Sequence, residues 1–516
     1  MRESTRPTSS LWMETAEIRA RKPLQQDTQA DVCIVGAGIG GLTTAYLLSY
    51  EGLSVVVLEE GSSNSGETSR TTAHLSNALD DGFVELERLH GESGARLAAQ
   101  SHTAAIDRIQ AIIAKERIQC DFERLDGYLF DPPGDPTGIL EKELDAARRA
   151  GLKEVQMVER APLASFNTGP CLRFPRQGQF HPLKYLSSLM QAIERNGGRI
   201  FHKTKAEEFK NEGKVQVVTS GGPVVTADAL VVATNTPVND WVAIHTKQAA
   251  YRSYVVAAPV PRGAMPTALL WDTLDPYHYV RLQRGSHEDL LIVGGEDHKT
   301  GQVDDLAEPF GRLEAWMRQR FPMAGPAVSQ WSGQIMEPVD GLAFLGRNPG
   351  EKNVYIVTGD SGHGMTHGTI GGMLISDLIL GRSNPWEALY DPSRVSLKSA
   401  SEFAKENLNV VAQYGEYVTG GQVASGEEIP AGEGALLRRG LKKIAVYRDK
   451  QGELHELSAI CPHLGCIVAW NPTEKTWDCP CHGSRFEATG KVINGPAITD
   501  LAASEPVGEA GVSSRA

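Results

Sequence analysis

Seven cysteines punctuate the 516-residue sequence, and four of them, Cys461, Cys466, Cys479 and Cys481, crowd into one short region. Two histidines stand among them, giving the segments Cys461-Pro462-His463-Leu464-Gly465-Cys466 and Cys479-Pro480-Cys481-His482-Gly483-Ser484. Each segment offers a thiol and an imidazole, spaced C-x-H in the first and C-x-x-H in the second. A cysteine cluster with histidines among it usually holds a metal. Cys33, Cys120 and Cys171 are scattered along the chain and read as small buried hydrophobes.

Structural zinc is the competing chemistry for this cluster. Zinc sites more often present C-x-x-C followed by H-x-H or a second C-x-x-C. One Cys and one His per loop is instead the division a Rieske [2Fe–2S] centre needs, with two thiolates on one iron and two imidazoles on the other. The expectation is that Cys461 and Cys479 hold the first iron and His463 and His482 the second. Neutral imidazoles leave less negative charge on their iron than thiolates would, so the potential rises.

A second chemistry-bearing pattern lies near the N-terminus. Asp31-Val32-Cys33-Ile34-Val35 reads as a short buried strand and runs into Gly36-Ala37-Gly38-Ile39-Gly40-Gly41. Residues 42–50 have helical character, and residues 55–58 form a second strand that ends at Glu59 and Glu60. Strand, glycines, helix, strand and terminal acid together are the dinucleotide-binding fingerprint. Gly36 permits the tight turn, Gly38 lets a pyrophosphate approach the backbone, and Gly41 lets the helix pack closely on the strand. The helix N-terminus then turns unpaired N–H groups toward the phosphates. Glu59 is placed to accept hydrogen bonds from ribose hydroxyls, whereas Glu60 reads as solvated. A glycine-rich turn without a ligand is the bland alternative, and the complete context weighs against it. The motif alone does not separate FAD from NAD.

Around these sites the chain has ordinary globular composition, with 41% apolar and 22% charged residues, and its length implies two or three domains. The formal net charge of −13 makes nucleic acid and anionic membrane poor partners. No stretch approaches the ~20 apolar residues of a membrane helix. The polar N-terminal residues lack a secretory core, and Ala20 separates Arg19 from Arg21, so a cytoplasmic location is the default expectation. Helical patterns cover residues 100–116 and 140–150. Strand patterns cover residues 251–260, 277–282 and 290–295, and again 441–448. No internal repeat is present.

The opening of the chain resembles the FAD-dependent D-amino acid oxidase-like superfamily, from about residue 10 to about residue 394. That resemblance implies FAD and a flavin-contacting loop, here residues 66–76, with Arg70, Thr71 and Thr72 at the cofactor. It also implies a strand closing the FAD site at residues 229–234, with Ala233 beside the cofactor. The strand at residues 354–358 and the following Gly359-Asp360-Ser361-Gly362-His363-Gly364-Met365-Thr366 correspond to a second return to the flavin, through Gly362, Gly364, Met365 and Thr366. A helix begins there, with Gly371 and Gly372 expected near its start, and its dipole would favour a reduced, anionic flavin. His74 is a candidate for a covalent flavin link, although non-covalent FAD is the expectation. Enzymes of this family move a hydride from a C–N carbon to the flavin, while the protein mainly orients the substrate. Candidate polar groups are Tyr251, Arg252, Tyr254, Tyr279, Arg281 and His363, with His363, Arg252 and Tyr254 the expected catalytic set. An Arg can pair a substrate carboxylate. The bland readings are ion pairs for the arginines and half-buried strand positions for the tyrosines.

Residues 420 to about 501 resemble the Rieske proteins of cytochrome complexes, in which the equivalents of Cys466 and Cys481 form a disulfide. The resemblance implies the same pairing here. It places Gly483 and Ser484 in a hydrogen-bonding loop, where a Ser484 hydroxyl donating to a bridging sulfide raises the potential. Phe486 stands where high-potential members often carry Tyr, which implies a lower potential here.

The fold class expected is therefore α/β for a Rossmann-like FAD-binding domain, α+β with an antiparallel sheet for a substrate domain, and a small all-β Rieske domain. An N-terminal extension covers residues 1–29. The oxidoreductase domain spans 30–395, with FAD-binding parts 30–82, 226–245 and 346–385 and substrate parts 83–225 and 246–345. A charged helical connector (396–419), the Rieske domain (420–505) and a tail (506–516) follow. A flavin that accepts two electrons, joined to a cluster that carries one, makes a converter. The expected activity is oxidation of a small-molecule amine or amino acid, with electrons passing from FAD to the cluster and on to an external one-electron acceptor. Two alternatives stand beside it: an oxygen-using oxidase with a structural cluster, and an electron carrier with no small-molecule substrate. A Rieske oxygenase is disfavoured because no two-His-one-carboxylate iron site is evident.

Overall fold

Thr28–Val35 ends in four buried residues, a continuous apolar run suited to a strand covered on both faces. It pairs in parallel with Val55–Leu58 on one side and with Val224–Asn235 on the other. This computed structural model describes residues 9–61, 66–132, 138–238, 244–302 and 308–504. The expected tail, 506–516, lies outside them. The chain forms two compact units, Met1–Lys299 with Ala307–Asn407, and Thr300–Leu306 with Leu408–Ala516.

In the first unit, Thr28–Val35 lies within an eight-stranded sheet. Its path runs Phe344–Arg347, Val354–Thr358, Val224–Asn235, Thr28–Val35, Val55–Leu58, Arg199–Phe201. The hairpin Ala206–Glu212/Lys214–Thr219 joins antiparallel to Val224–Asn235. Residues 199–219, expected in the substrate part, therefore belong to the dinucleotide sheet. Their buried Val215 and Val217 complete one apolar cluster with Cys33, Val56 and Leu230.

The second sheet has nine strands. Its main path runs Ser329–Pro338, Gln248–Pro261, Glu288–Lys299, His278–Gln283, Leu269–Asp272, Glu123–Phe130, Cys171–Gln179, His74–Leu75. All of its neighbours are antiparallel except Leu269–Asp272 with Glu123–Phe130. Its strands have two unlike faces because successive side chains alternate. Tyr254, Val256, Val280 and Val293 enter one apolar cluster with Phe310 and Trp316 of helix Glu308–Arg320. Val255, Ala257, Ile292 and Trp331 enter the core that holds the dinucleotide helix Ile39–Tyr50.

The helix expected at residues 100–116 extends over Gly82–Glu116, interrupted at Gly91, whose φ of 73° departs from helical geometry. Phe83, Leu86, Leu89, Ala95 and Ala98 carry the buried stripe into this earlier part, between charged residues that obscure it. Helix Gly364–Ile379 packs on Ile39–Tyr50 through small residues. A Cβ on Gly368 would meet Gly40 N at 3.1 Å, and one on Gly372 would meet Thr43 Cγ2 at 2.6 Å. Gly371 and Gly372 thus lie mid-helix, where close packing needs them, and not at its start. Ascending numbers pair along both helices, so they run parallel and their N-termini open at the same end.

The second unit has a three-stranded sheet, Glu433–Arg439, Lys442–Arg448, Leu454–Ser458, and a four-stranded one, Ala469–Asn471, Thr476–Asp478, Arg485–Glu487, Val492–Asn494. Trp477 and Phe486 are fully buried in its core. Arg485 is also buried and pairs with Glu474 at 2.8 Å and Asp478 at 3.0 Å. The connector expected to be helical contains Ala400–Gln413. Among the described residues, no helix is long and apolar enough to cross a membrane.

Candidate functional site

The glycine turn has the shape a dinucleotide requires. Gly36 adopts a φ of +103°, and a Cβ there would collide with the Ala233 carbonyl oxygen. A Cβ on Gly41 would collide with the Gly36 carbonyl oxygen. Ala233 therefore acts by its backbone, closing the turn from the neighbouring strand. Ala37 N–H donates to Glu59 Oε2 at 2.8 Å and Gly61 N–H to Oε1 at 3.1 Å. A carboxylate so placed is the kind of acceptor a ribose hydroxyl uses. Thr68 Oγ1 accepts from Ile39 N–H at 3.1 Å, tying the loop 66–76 to the helix N-terminus. Sequence reasoning did not single out Thr68.

That loop is held by its carbonyls. Ser10 Oγ donates to Ser69 O at 2.5 Å, Trp331 Nε1 to Arg70 O at 2.8 Å and Trp12 Nε1 to Thr71 O at 2.6 Å. Arg281 Nη1 reaches Thr72 O at 2.8 Å and Ala73 O at 3.2 Å. Five consecutive carbonyls are thus satisfied by side chains distant in sequence, which fixes Arg70, Thr71 and Thr72 without regular secondary structure. Helix Leu11–Thr15, with Trp12 fully buried, makes the N-terminal extension part of this site. Arg281 is spent on these carbonyls and on Gln283 at 2.6 Å, rather than on a surface ion pair. Burial pulls its pKa down to about 9. His74 lies with Nδ1 3.0 Å from Thr72 Oγ1 and its ring 5.6 Å from that of Tyr279, and burial pulls its pKa to about 3.

Parity sorts the remaining candidates. Tyr251, Ser253, Tyr277, Tyr279, Arg281 and Asp297 occupy the face toward the loop. Arg252 and Tyr254 occupy the other. Tyr254 stacks on His298 at 5.3 Å and meets Phe310 edge-on at 4.9 Å, while Arg252 is buried and donates to Ser332. The structure does not bring these two together with His363, because residues two apart share a strand face and both stand one position out of step with Tyr251 and Ser253.

His363 caps helix Gly364–Ile379 and faces Asp80, with Nε2 3.0 Å from Oδ1. The same nitrogen lies 3.1 Å from the Asp80 backbone N. It cannot donate to one and accept from the other at once. Burial alone would lower the His363 pKa, but Asp80, by charge and hydrogen bond, outweighs it and raises the value, so donation to the carboxylate prevails. Burial raises the Asp80 pKa, yet His363 and the hydroxyl of Tyr277, 2.9 Å away, bring it below the usual carboxylate range. Tyr277 and Tyr279 rings lie 5.5 Å apart, and Tyr279 Oη is 2.7 Å from Ser253 Oγ. Ser253 also hydrogen-bonds Asp297, whose carboxyl burial pushes up to about 7. Behind His363, His102 lies 3.2 Å from His367 and 2.9 Å from Thr366 Oγ1. Burial lowers the pKa of both imidazoles, that of His367 to about 3. A Cβ on Gly362 would collide with Asp80, and one on Gly364 would meet Asp360 at 3.1 Å, so both glycines admit carboxylates beside the helix N-terminus. Met365 and Thr366 are buried in its first turn. Neither Asp80, Ser253 nor Tyr277 carries a sequence signal, apart from the period-two alternation that links Tyr277 to Tyr279 and Ser253 to Tyr251.

In the second unit, two loops share one hydrogen-bond pattern. Cys461 N–H donates to Cys466 O at 2.8 Å and Gly465 N–H returns to Cys461 O at 3.0 Å. Cys479 N–H donates to Ser484 O at 2.8 Å and Gly483 N–H returns to Cys479 O at 3.0 Å. Gly465 and Gly483 have φ of 84° and 78°, conformations glycine adopts freely. The sulfurs of Cys466, Cys479 and Cys481 lie within 4.8 Å of one another, but Cys466 and Cys481 are joined in a disulfide. The free, buried pair is Cys461 and Cys479. Their thiols hydrogen-bond each other, which lowers the Cys461 pKa and raises that of Cys479. His463 and His482 rings lie 5.0 Å apart at 88°. Two adjacent thiols and two adjacent imidazoles fit the donor set of a [2Fe–2S] centre with divided ligation. Ser484 hydrogen-bonds Cys461 and accepts from Ala497 N–H at 3.0 Å.

Comparison with known proteins agrees with both halves. Residues 31–378 match the FAD dependent oxidoreductase family, and residues 421–505 match the Rieske [2Fe-2S] domain. The chain is 31% identical over 498 residues to YhfW of Bacillus subtilis, a Rieske 2Fe-2S iron-sulfur protein by name, covering 95% of this chain and 96% of that one. It is 27% identical over 403 residues to gamma-glutamylputrescine oxidoreductase of Escherichia coli, covering 74% and 92%. Among solved structures, glycine oxidase from Geobacillus kaustophilus superposes with a TM-score of 0.61 at 18% identity, covering 71% of this chain and 99% of that one.

Proposed function

Because this chain belongs to the FAD dependent oxidoreductase family and carries a Rieske [2Fe-2S] domain, we propose that it oxidises the C–N bond of an amine or amino acid and delivers the electrons singly to an external acceptor. The two cofactors are FAD and the [2Fe–2S] cluster. The observation that carries the reading is their presence in one chain, with matches at residues 31–378 and 421–505. When bound, the flavin takes two electrons from the carbon beside nitrogen and the cluster carries one at a time, so each substrate molecule serves two turnovers of a one-electron acceptor. The E. coli relative is by name an oxidoreductase of gamma-glutamylputrescine, which supports the substrate class.

The chain's own groups have separable tasks in this reading. Gly36, Gly38 and Gly41 admit the pyrophosphate, and Glu59 takes the ribose hydroxyls. The anchored loop at Arg70, Thr71 and Thr72 would hold the flavin when bound. His363, whose pKa Asp80 raises, stands at the N-terminus of helix Gly364–Ile379, where negative charge is favoured. Cys461, Cys479, His463 and His482 hold the cluster, and the Cys466–Cys481 disulfide ties their loops.

The test compares the full chain with His463→Ala during aerobic turnover in the presence of a one-electron dye. The relay reading predicts dye reduction with little peroxide, and at least a tenfold loss of dye reduction in the variant. Peroxide equal to substrate consumed, unchanged by His463→Ala, would contradict it and establish an oxygen-using oxidase.

A further inference from the structure

The sheet face toward the flavin loop is acidic and aromatic, and its cations are already committed. Asp297 and Glu337 project from two of its strands; burial raises the Tyr277 phenol well above its ordinary pKa, and Asp80, then Asp297, Tyr279 and Glu337, add to that rise. Asp297 Oδ1 is sealed from solvent and accepts no hydrogen bond among the described residues. Glu337 accepts from Ser361 Oγ at 2.9 Å, and burial still holds its carboxyl well above the usual range. On the same face, Arg281 is spent on backbone carbonyls, and Lys299 is paired with Glu406 at 2.6 Å. Asp80 has its own counter-charge in His363.

We propose that this site selects an organic cation of the diamine type, with no carboxylate beside the reacting nitrogen, in preference to an α-amino acid. The proposal rests on the C–N oxidation reading and names its substrate class. A buried carboxylate without a counter-charge is expensive. An ammonium group placed between Asp297 and the ring of Tyr279 or Tyr277 supplies that charge and gains cation–π attraction as well. A substrate carboxylate would find acids whose ionisation it opposes, whereas its usual partner is an arginine fork. Asp297 and Ser253 are then specificity-determining residues, with Ser253 bridging Asp297 to the Tyr279 hydroxyl.

The test uses the full chain with both cofactors, kept anaerobic, and needs no variant to be decisive. 1,4-Diaminobutane, glycine and L-proline are each titrated by calorimetry while flavin absorbance is followed. The expected result is that the diamine binds at least tenfold more tightly than either amino acid and bleaches the flavin, with Asp297→Asn losing about tenfold in diamine affinity (~1.4 kcal/mol). Tighter binding and faster bleaching by glycine or proline, unaffected by Asp297→Asn, would overturn the proposal and leave C–N oxidation standing. Tight diamine binding without bleaching would uphold the selectivity and overturn the oxidation reading. Binding of none of the three would overturn the proposal.

Discussion

In residues 461–484 every expected cluster ligand stands two or three residues from another, and backbone hydrogen bonds within each loop fix the turn that presents it. The flavin half is assembled differently. Its polar groups come from Ser10, Trp12, Glu59, Asp80, Ser253, Tyr279, Asp297, Arg281, Trp331 and His363, and they meet only when two sheets and three helices have packed. A local site with a fixed donor count fails all at once when one donor is lost. A distributed site loses its parts by degrees, since each contact contributes a kilocalorie or a few.

The sharpest way to break this contrast is at the cluster. Cys461→Ser is expected to abolish the cluster and its EPR signal while flavin content stays near that of the parent chain. Iron-to-flavin ratios measure this, and a retained cluster would remove the all-or-none half of the comparison. The next largest effect lies in the distributed half. Trp12→Ala removes a fully buried ring and the donor to Thr71 O, at a cost of about 3–5 kcal/mol. Thermal unfolding should fall, and flavin should be lost on dilution while the cluster spectrum persists; unchanged flavin retention would show that the loop carbonyls do not need that anchor.

Asp80→Asn should cost less, about 1.5–3 kcal/mol, the worth of a hydrogen bond to a charged group. The sign follows from the two shifts. His363 is raised, so its contribution is whole below the ordinary imidazole pKa and is lost as pH rises through the raised value. Asp80 is lowered, so its contribution is present above the ordinary carboxylate pKa and is lost as pH falls through the lowered value. The stability difference between parent and variant should therefore be largest near pH 5–6 and shrink toward pH 9, as unfolding curves across pH would show. A difference that grows with pH would contradict the ion-pair assignment.

The smallest effects sharpen the cluster side. Ser484→Ala removes the hydroxyl bonded to Cys461 and should lower the cluster midpoint. Phe486→Tyr adds a donor within the apolar cluster that holds Cys461 and Cys479, and should raise it. One net hydrogen bond of about 1 kcal/mol corresponds to about 40 mV for a one-electron couple. Voltammetry that finds neither shift would separate the potential from these side chains.

The same contrast explains what the sequence discloses. The glycine turn, Glu59 and the four cluster ligands are legible because their chemistry depends on spacing along a few residues. Arg252 and Tyr254 were expected at the flavin, yet they occupy the opposite face from Tyr251 and Ser253. A one-position error on a strand is a whole-face error in space. Asp80 stands 283 residues from His363, and no periodicity connects them. Trp12 lies in a polar leader whose composition gives no hint that it anchors Thr71. Hairpin 206–219 carries enough surface charge to hide which sheet its Val215 and Val217 complete.

The central claim is that the flavin half and the cluster work in sequence. It is tested most directly by mixing the anaerobic full chain with a reducing amine and freezing samples over time for EPR and visible spectra. The account predicts flavin bleaching followed by the signal of a reduced Rieske cluster, with the second step absent in His463→Ala. A bleached flavin beside a cluster that stays oxidised indefinitely would contradict it.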